Sequence, residues 1–411
     1  MKDFQFSKKS QLSKNVFAFK KDDKVILFNR INFRRLYLEN NPSLVLLKKK
    51  VKSIDEKTSF PSFYPPPLKK IRVEVTLRCN CRCDYCLVYK NSLNQINLAM
   101  DKITAKKIIS FYKENVKNGS LMLIGAEPLL NWPIVKLFIK NIKDPIKIFT
   151  NGTIINKDIL NTLKKNQNVR LMISLDGKKV DNKGRKFQNG KEIFSIVIKN
   201  IRIFQKNNCN LGIACLCTNK NVGHLIKIVK FFVDTLGIKN LGISFPHYIF
   251  QDLNKIDLNM KKYTTEMMKI FDFALKKKVY IDQLAKRFSP LVNKKFRFYA
   301  CKLVGEEKTF YPDGSETFCT KIDSLSKPEK YNLEYFKNVI SINNKFCRNC
   351  PAIGICGGGC FWDGIMRFKN GVDERECVLN NKLLEYFLWR IYAAEKKRVS
   401  LDKEFESLII K

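Results

Sequence analysis

Residues 79–86 read CNCRCDYC and place four cysteines within eight positions, directly after the apolar run IRVEVTL. Three of them, Cys79, Cys83 and Cys86, follow the spacing CxxxCxxC. Thiolates are the ligands of iron–sulfur clusters, and three this close together can hold three irons of a [4Fe-4S] cube while the fourth stays open to a small molecule. Cys81 falls outside that spacing and reads as a bystander. A zinc site is the competing reading, but tetrahedral zinc needs a fourth ligand and favours Cys or His pairs at knuckle spacing. His224 and His247 are the only histidines, which leaves histidine-based metal chemistry little to work with.

CxxxCxxC with an aromatic before its last cysteine, here Tyr85, resembles the cluster loop of the radical SAM superfamily. The resemblance implies that the amino and carboxylate groups of S-adenosylmethionine chelate the open iron, and that an electron from the cluster cleaves the sulfonium to a 5'-deoxyadenosyl radical. Three further motifs follow in the family's order. GAEP, made of Gly125, Ala126, Glu127 and Pro128, is similar to the family's GGEP turn near the methionyl amino group, with alanine in place of its second glycine. TNGT at 150–153 resembles a segment that lines the pocket. SLDG at 174–177 is similar to the ribose- and carboxylate-binding segment, with Ser174 and Asp176 as polar candidates. The run after it, KKVDNKGR, lacks the family's proline and histidine, and Arg185 stands where an arginine would contact the cofactor carboxylate.

A second set of cysteines fills the last third of the chain: Cys301, Cys319, Cys347, Cys350, Cys356, Cys360 and Cys377. Their spacing resembles the SPASM extension found behind many radical SAM barrels, which binds two auxiliary [4Fe-4S] clusters. The resemblance implies three clusters in all. It assigns Cys301, Cys319 and Cys360 to the nearer auxiliary cluster, and Cys347, Cys350, Cys356 and Cys377 to the farther one. Fully ligated relatives carry an eighth cysteine at a position near Lys295, and here no cysteine lies between 218 and 300. The nearer cluster is therefore expected to be one protein ligand short, with an iron open to a substrate thiolate, to a water or non-cysteine side chain, or to a displaced cysteine such as Cys209, Cys215 or Cys217.

The elements that must position these groups are legible in outline. IRVEVTL (71–77), SLMLIG (120–125), IKIFT (146–150), VRLMISL (169–175), LGIACLC (211–217) and LGISF (241–245) read as strands, and amphipathic stretches at helical spacing separate them. Six parallel strands alternating with helices suggest a partial (β/α)6 barrel, the fold that the resemblance also implies. Chemistry in such barrels gathers at the C-terminal ends of the strands. Cys215 and Cys217 alternate on the fifth strand and read as small buried hydrophobes, while Cys209 is unassigned. Before the barrel, VFAFK and KVILFN read as a hairpin, INFRRLYLEN as a helix or third strand, and the prolines at 61 and 65–67 as a linker. The expected division is an N-terminal element at 1–68, possessing a peptide-recognition alternative, the barrel at 69–290, the SPASM domain at 291–380 and a C-terminal helix at 381–411.

With 411 residues and 45% hydrophobic content the chain is globular and long enough for two or three cores. Fourteen cysteines without a signal-peptide or membrane-span pattern point to a cytoplasmic protein whose thiols serve metal or redox chemistry. The net charge of +39 would suit nucleic acid, but the lysines are spread along almost every helix-like stretch and no nucleic-acid module is present. Nucleic acid therefore ranks behind a peptide as a partner. Proteins that share the SPASM resemblance mostly modify ribosomally made peptides or proteins, with a flavodoxin- or ferredoxin-type electron donor. Thioether or carbon–carbon crosslinking is the leading expectation. Residue oxidation as in anaerobic sulfatase maturases is the next, although the aspartate that those enzymes place after the equivalent of Cys319 is Thr320 here, a poor general base. A porphyrin-like small-molecule substrate and a zinc-holding nucleic-acid-binding protein are the remaining alternatives.

Overall fold

The computed structural model describes residues 11–40, 42–56, 58–86, 97–247, 258–321 and 333–409. Two compact units share the chain. One comprises Met1–Tyr64, Asn259–Cys301 and Glu334–Lys411, and the other Pro65–Leu258 and Lys302–Leu333. These units cut across the linear division expected from the sequence. The N-terminal residues fold with both later segments, and residues 259–290, expected in the barrel, belong with them. Among the described residues no helix is long and apolar enough to cross a membrane.

The first unit opens with the antiparallel strands β1 (Val16–Lys21), β2 (Lys24–Asn29) and β3 (Arg35–Leu38), paired in that order. The hairpin is as expected, and the ambiguous INFRRLYLEN resolves as a strand. Helix α1 (Leu44–Asp55), capped by Ser43, lays Val51 and Ile54 against Val16, Val25 and Leu27.

The second unit carries a parallel sheet built from β4 (Lys70–Glu74), β5 (Ser120–Ile124), β6 (Ile146–Thr150), β7 (Val169–Ser174), β8 (Asn210–Leu216) and β9 (Asn240–Ser244), each paired with the next in chain order. Helices α2 (Lys102–Asn115), α3 (Trp132–Asn141), α4 (Lys157–Lys165), α5 (Phe194–Lys206) and α6 (Leu225–Lys230) make the crossovers. The expected open (β/α)6 arrangement is borne out. Alternate strand residues are sealed in the core, as Ile71 and Val73, Leu121 and Leu123, and Ile146 and Ile148 illustrate. Side chains fix where helices begin: the Asp101 carboxylate accepts from the Thr104 N–H at 2.7 Å, and the Asn156 amide oxygen from Ile159 at 2.9 Å.

The sheet also takes in strands that were not anticipated. Strand β10 (Glu307–Phe310) pairs in parallel with β4, Glu307 opposite Lys70 and Phe310 opposite Val73, and the short β11 (Glu316–Thr317) pairs back on it. The Glu307 carboxylate meets Lys70 and Arg72 at 2.8 Å each, so a charge on the late strand fastens it to the first barrel strand.

The first unit is completed by α7 (Met260–Lys277), α8 (Asp282–Asn293) and the long α9 (Glu374–Lys396). Phe271, Phe288, Phe387 and Phe405 stack at centroid distances of 4.6–5.2 Å in their shared core. On the far end of α9, Glu395 binds Arg35 of β3 at 2.9 Å and accepts from the Tyr37 hydroxyl. That joins the two ends of the chain.

Candidate active site

The loop after β4 places Cys79, Cys83 and Cys86 half-exposed and Cys81 buried, at 5% exposure. Burial thus sorts the cysteines as spacing did. Cys81 lies under the loop, where its sulfur accepts from the Asn151 amide at 3.4 Å and its backbone pairs with Phe187. The loop is held open by the 184–188 segment: Arg82 N donates to Lys186 O at 2.8 Å, Asp84 N to Gly184 O at 3.0 Å, and the Gln188 amide to Cys79 O at 2.5 Å.

Gly125, at the end of β5, has φ +129°, and a Cβ there would stand 2.3 Å from Thr76 O. Its glycine is demanded by the neighbouring strand end, as well as by any ligand approach. Ala126 N and Glu127 N donate to Thr76 O and Arg78 O at 2.9 Å each, which ties this turn to the cysteine loop. Pro128 is buried in the following short helical turn. The Glu127 carboxylate is fully buried and accepts three hydrogen bonds: from Thr150 Oγ1 at 2.7 Å, Asn151 N at 2.6 Å and Leu129 N at 3.1 Å. Burial pushes its carboxyl up to about 7, against the pull of those donors. It is a strut between GAEP and TNGT.

Asp176, Arg185 and Tyr85 come together beyond β7. The Arg185 guanidinium grips Asp176 through Nε at 2.8 Å and Nη2 at 3.3 Å and lies 5.4 Å from the Tyr85 ring centroid. The Tyr85 hydroxyl donates to the same carboxylate, whose other oxygen accepts from Leu216 N at 2.9 Å. Burial works to lower the Arg185 pKa, but Asp176 keeps it raised, so the cation persists. Ser174 ends β7, half-buried.

Beyond Asn151 of the TNGT segment, sequence reasoning missed a set of asparagines. Asn80 and Asn151 join each other at 2.8 Å beneath the cysteine loop, and Asn80 also donates to Thr153 Oγ1 at 2.9 Å. Asn182 accepts from Asp176 N at 2.9 Å, and Asn221 donates to Asp176 O at 3.2 Å. In an asparagine-rich chain no local signal distinguishes these from surface residues.

The family model described as Radical SAM superfamily matches residues 73–232, which span the cysteine loop and strands β5 to β8. An uncharacterised protein of Methanocaldococcus jannaschii is 30% identical over 227 residues, which is 54% of this chain and 76% of that protein. The chain belongs to the radical SAM superfamily. This radical SAM enzyme is also 28% identical to a cysteine-type anaerobic sulfatase-maturating enzyme of Clostridium novyi, over 72% of this chain and 88% of that one. Its fold is similar to the solved structure of native anSMEcpe with bound AdoMet and Cp18Cys peptide, with a TM-score of 0.64 and 21% identity over 80% of this chain and 100% of that one.

The four cysteines expected at the farther auxiliary cluster converge in the first unit. Cys347 and Cys356 are buried, and Cys347 packs with Cys350 and Cys377 around Ile31, Ile353 and Val372. Burial pushes the Cys356 thiol up to about 12 and raises those of Cys347 and Cys377. Gly357, Gly358 and Gly359 all have positive φ, and a Cβ on Gly357 would meet the Tyr299 carbonyl carbon at 2.3 Å, so backbone wraps closely here. The donor set suits a [4Fe-4S] cluster: four sulfurs in an apolar pocket that penalises uncompensated thiolates. Cys301 and Cys360 belong to the first unit and Cys319 to the second. None of the fourteen cysteines forms a disulfide. Cys209, Cys215 and Cys217 are buried in the second unit.

Proposed function

We infer that this radical SAM enzyme modifies a ribosomally made peptide or protein, installing a thioether or carbon–carbon crosslink. The observation that carries the reading is the likeness in fold, along the whole length of that chain, to a maturase structure that holds both AdoMet and a peptide. Thr320 in place of an aspartate weighs against residue oxidation, because a threonine hydroxyl is a poor proton acceptor near neutral pH.

Cys79, Cys83 and Cys86 are the proposed ligands of the first cluster, which together with S-adenosylmethionine supplies a 5'-deoxyadenosyl radical when bound. Tyr85, Gly125, Ala126, Ser174, Asp176 and Arg185 shape the cofactor pocket, and Glu127 and Pro128 hold its turn in place. Cys347, Cys350, Cys356 and Cys377 would hold a second cluster, and Cys301, Cys319 and Cys360 a third. Electrons would come from a flavodoxin- or ferredoxin-type donor in the cytoplasm.

The test is 5'-deoxyadenosine formation by the anaerobically reconstituted chain. Changing Cys79, Cys83 and Cys86 together to Ala abolishes it while the auxiliary clusters persist, and Cys81→Ala retains most of it. Cleavage at the wild-type rate in the triple variant would remove the basis of the assignment.

A further inference from the structure

Arg30, in the turn after β2, is 1% exposed. Its Nη1 donates to Cys350 O at 3.2 Å and its Nη2 to Lys14 O at 2.9 Å, while its Nε is buried with no partner. The guanidinium is walled by the Phe17 and Phe60 rings at 5.5 and 5.4 Å, and no carboxylate among the described residues forms an ion pair with it. A buried cation without a counter-ion costs several kcal/mol. The nearby groups that can carry the opposite charge are Cys350 and Asp55.

The turn that bears Arg30 is packed onto the cysteine pocket. A Cβ on Gly354 would stand 2.7 Å from Arg30 O and 2.8 Å from the Phe33 ring, and Ile31 and Phe60 join Cys347, Cys350 and Cys377 in one apolar cluster. On another side of the pocket, the fully buried Asn380 of α9 directs its amide nitrogen to Cys356 Sγ at 3.3 Å as well as to Glu376 O at 2.7 Å and Glu376 Oε2 at 2.8 Å, while its oxygen has no partner. Its two N–H groups are shared between Glu376 and the sulfur, and a thiolate at Cys356 strengthens the share that goes to sulfur.

We propose that the N-terminal element serves the four-cysteine cluster: Arg30 is its buried counter-charge and Asn380 its sulfur hydrogen-bond donor, and together they raise its reduction potential. The inference rests on the assignment of a cluster to Cys347, Cys350, Cys356 and Cys377. A [4Fe-4S] core with four thiolates is a dianion, and one electron from a reductant makes it a trianion. A fixed positive charge and an N–H donor both favour the more negative state, so their loss makes reduction harder. Both are positioning residues, since neither is a ligand.

The experiment is an EPR-monitored titration of the reconstituted full chain with dithionite, in which the transition lost on Cys377→Ala marks the four-cysteine cluster. Arg30→Gln and Asn380→Leu each lower the reduced-to-oxidised ratio of that transition about tenfold at a fixed potential, equivalent to about 59 mV for one electron. Arg30→Lys, which keeps the charge, recovers most of the shift. An iron-replete Arg30→Gln or Asn380→Leu chain that titrates at the wild-type midpoint overturns the proposal. Should Arg30→Gln fail to hold iron, Asn380→Leu decides, because it leaves the N-terminal packing untouched. If Cys377→Ala removes neither iron nor a transition, the cluster assignment itself falls and takes the proposal with it.

Discussion

Glu127 joins two loops of the active site through a single carboxylate, with Thr150, Asn151 and Leu129 as donors. Glutamine in its place keeps one acceptor oxygen and turns an NH2 group toward an N–H or hydroxyl that needs an acceptor. Leaving such a buried group unsatisfied costs about 1–3 kcal/mol. Glu127→Gln should therefore lower the unfolding free energy in urea by about that amount, and raise the S-adenosylmethionine concentration needed for half-maximal cleavage. Unchanged stability would mean that the carboxylate is not the strut described. The identity of this residue was legible from the GAEP motif, but its role was not. A motif records which residue stands at a turn, and only the fold brings Thr150 and Asn151 against it. The same holds for Cys81, whose departure from CxxxCxxC was visible while its burial against Asn151 was not.

At the scale of elements, the barrel strands were readable because alternation of apolar residues is a local property, and IKIFT matches its strand residue for residue. Strand β10 was hidden for the opposite reason. Its sequence EKTF carries no apolar alternation, and its Glu307 makes sense only beside Lys70 and Arg72, far away in the chain. Burial pushes the Glu307 carboxyl up, but the Arg72 and Lys70 charges outweigh it and hold it below its ordinary value of 4.5. A depressed carboxyl contributes stability that is present above 4.5 and is lost as pH falls through the folded value. Glu307→Gln should cost about 1–3 kcal/mol at neutral pH, less than a fully buried pair because Arg72 is one-third exposed. Chemical denaturation across pH checks the sign: the gap between wild type and variant stays constant from 4.5 to neutral pH, closes below 4.5, and narrows again above about 8, where burial makes Lys70 lose its proton. A gap that widened in acid would contradict the assignment of this pair.

The first unit folds together segments far apart in the chain, since Arg35 and Tyr37 meet Glu395 and the Arg30 turn meets the Cys350 loop. No local pattern announces contacts across more than three hundred residues, which is why the sequence suggested an N-terminal strand pair packed on the rest of the chain but not the residues it packs against. The CxxxCxxC and CxxC spacings were legible because they are local, whereas only the fold brings Cys377 beside Cys347 and Cys350. Three clusters correspond to about twelve irons per chain after reconstitution. Iron analysis should find that content, falling by about four when Cys79, Cys83 and Cys86 are replaced together; zinc in place of iron would contradict the cluster reading throughout. The central claim is that the radical acts on a peptide. Its most direct measurement is mass spectrometry of a peptide encoded beside this gene, after anaerobic incubation with the enzyme, S-adenosylmethionine and reductant. The account predicts 5'-deoxyadenosine together with a peptide that has lost two hydrogens, and no such product from a Cys→Ser peptide if the linkage is a thioether. Abundant 5'-deoxyadenosine with every such peptide unaltered, and a small molecule consumed in its place, would contradict it.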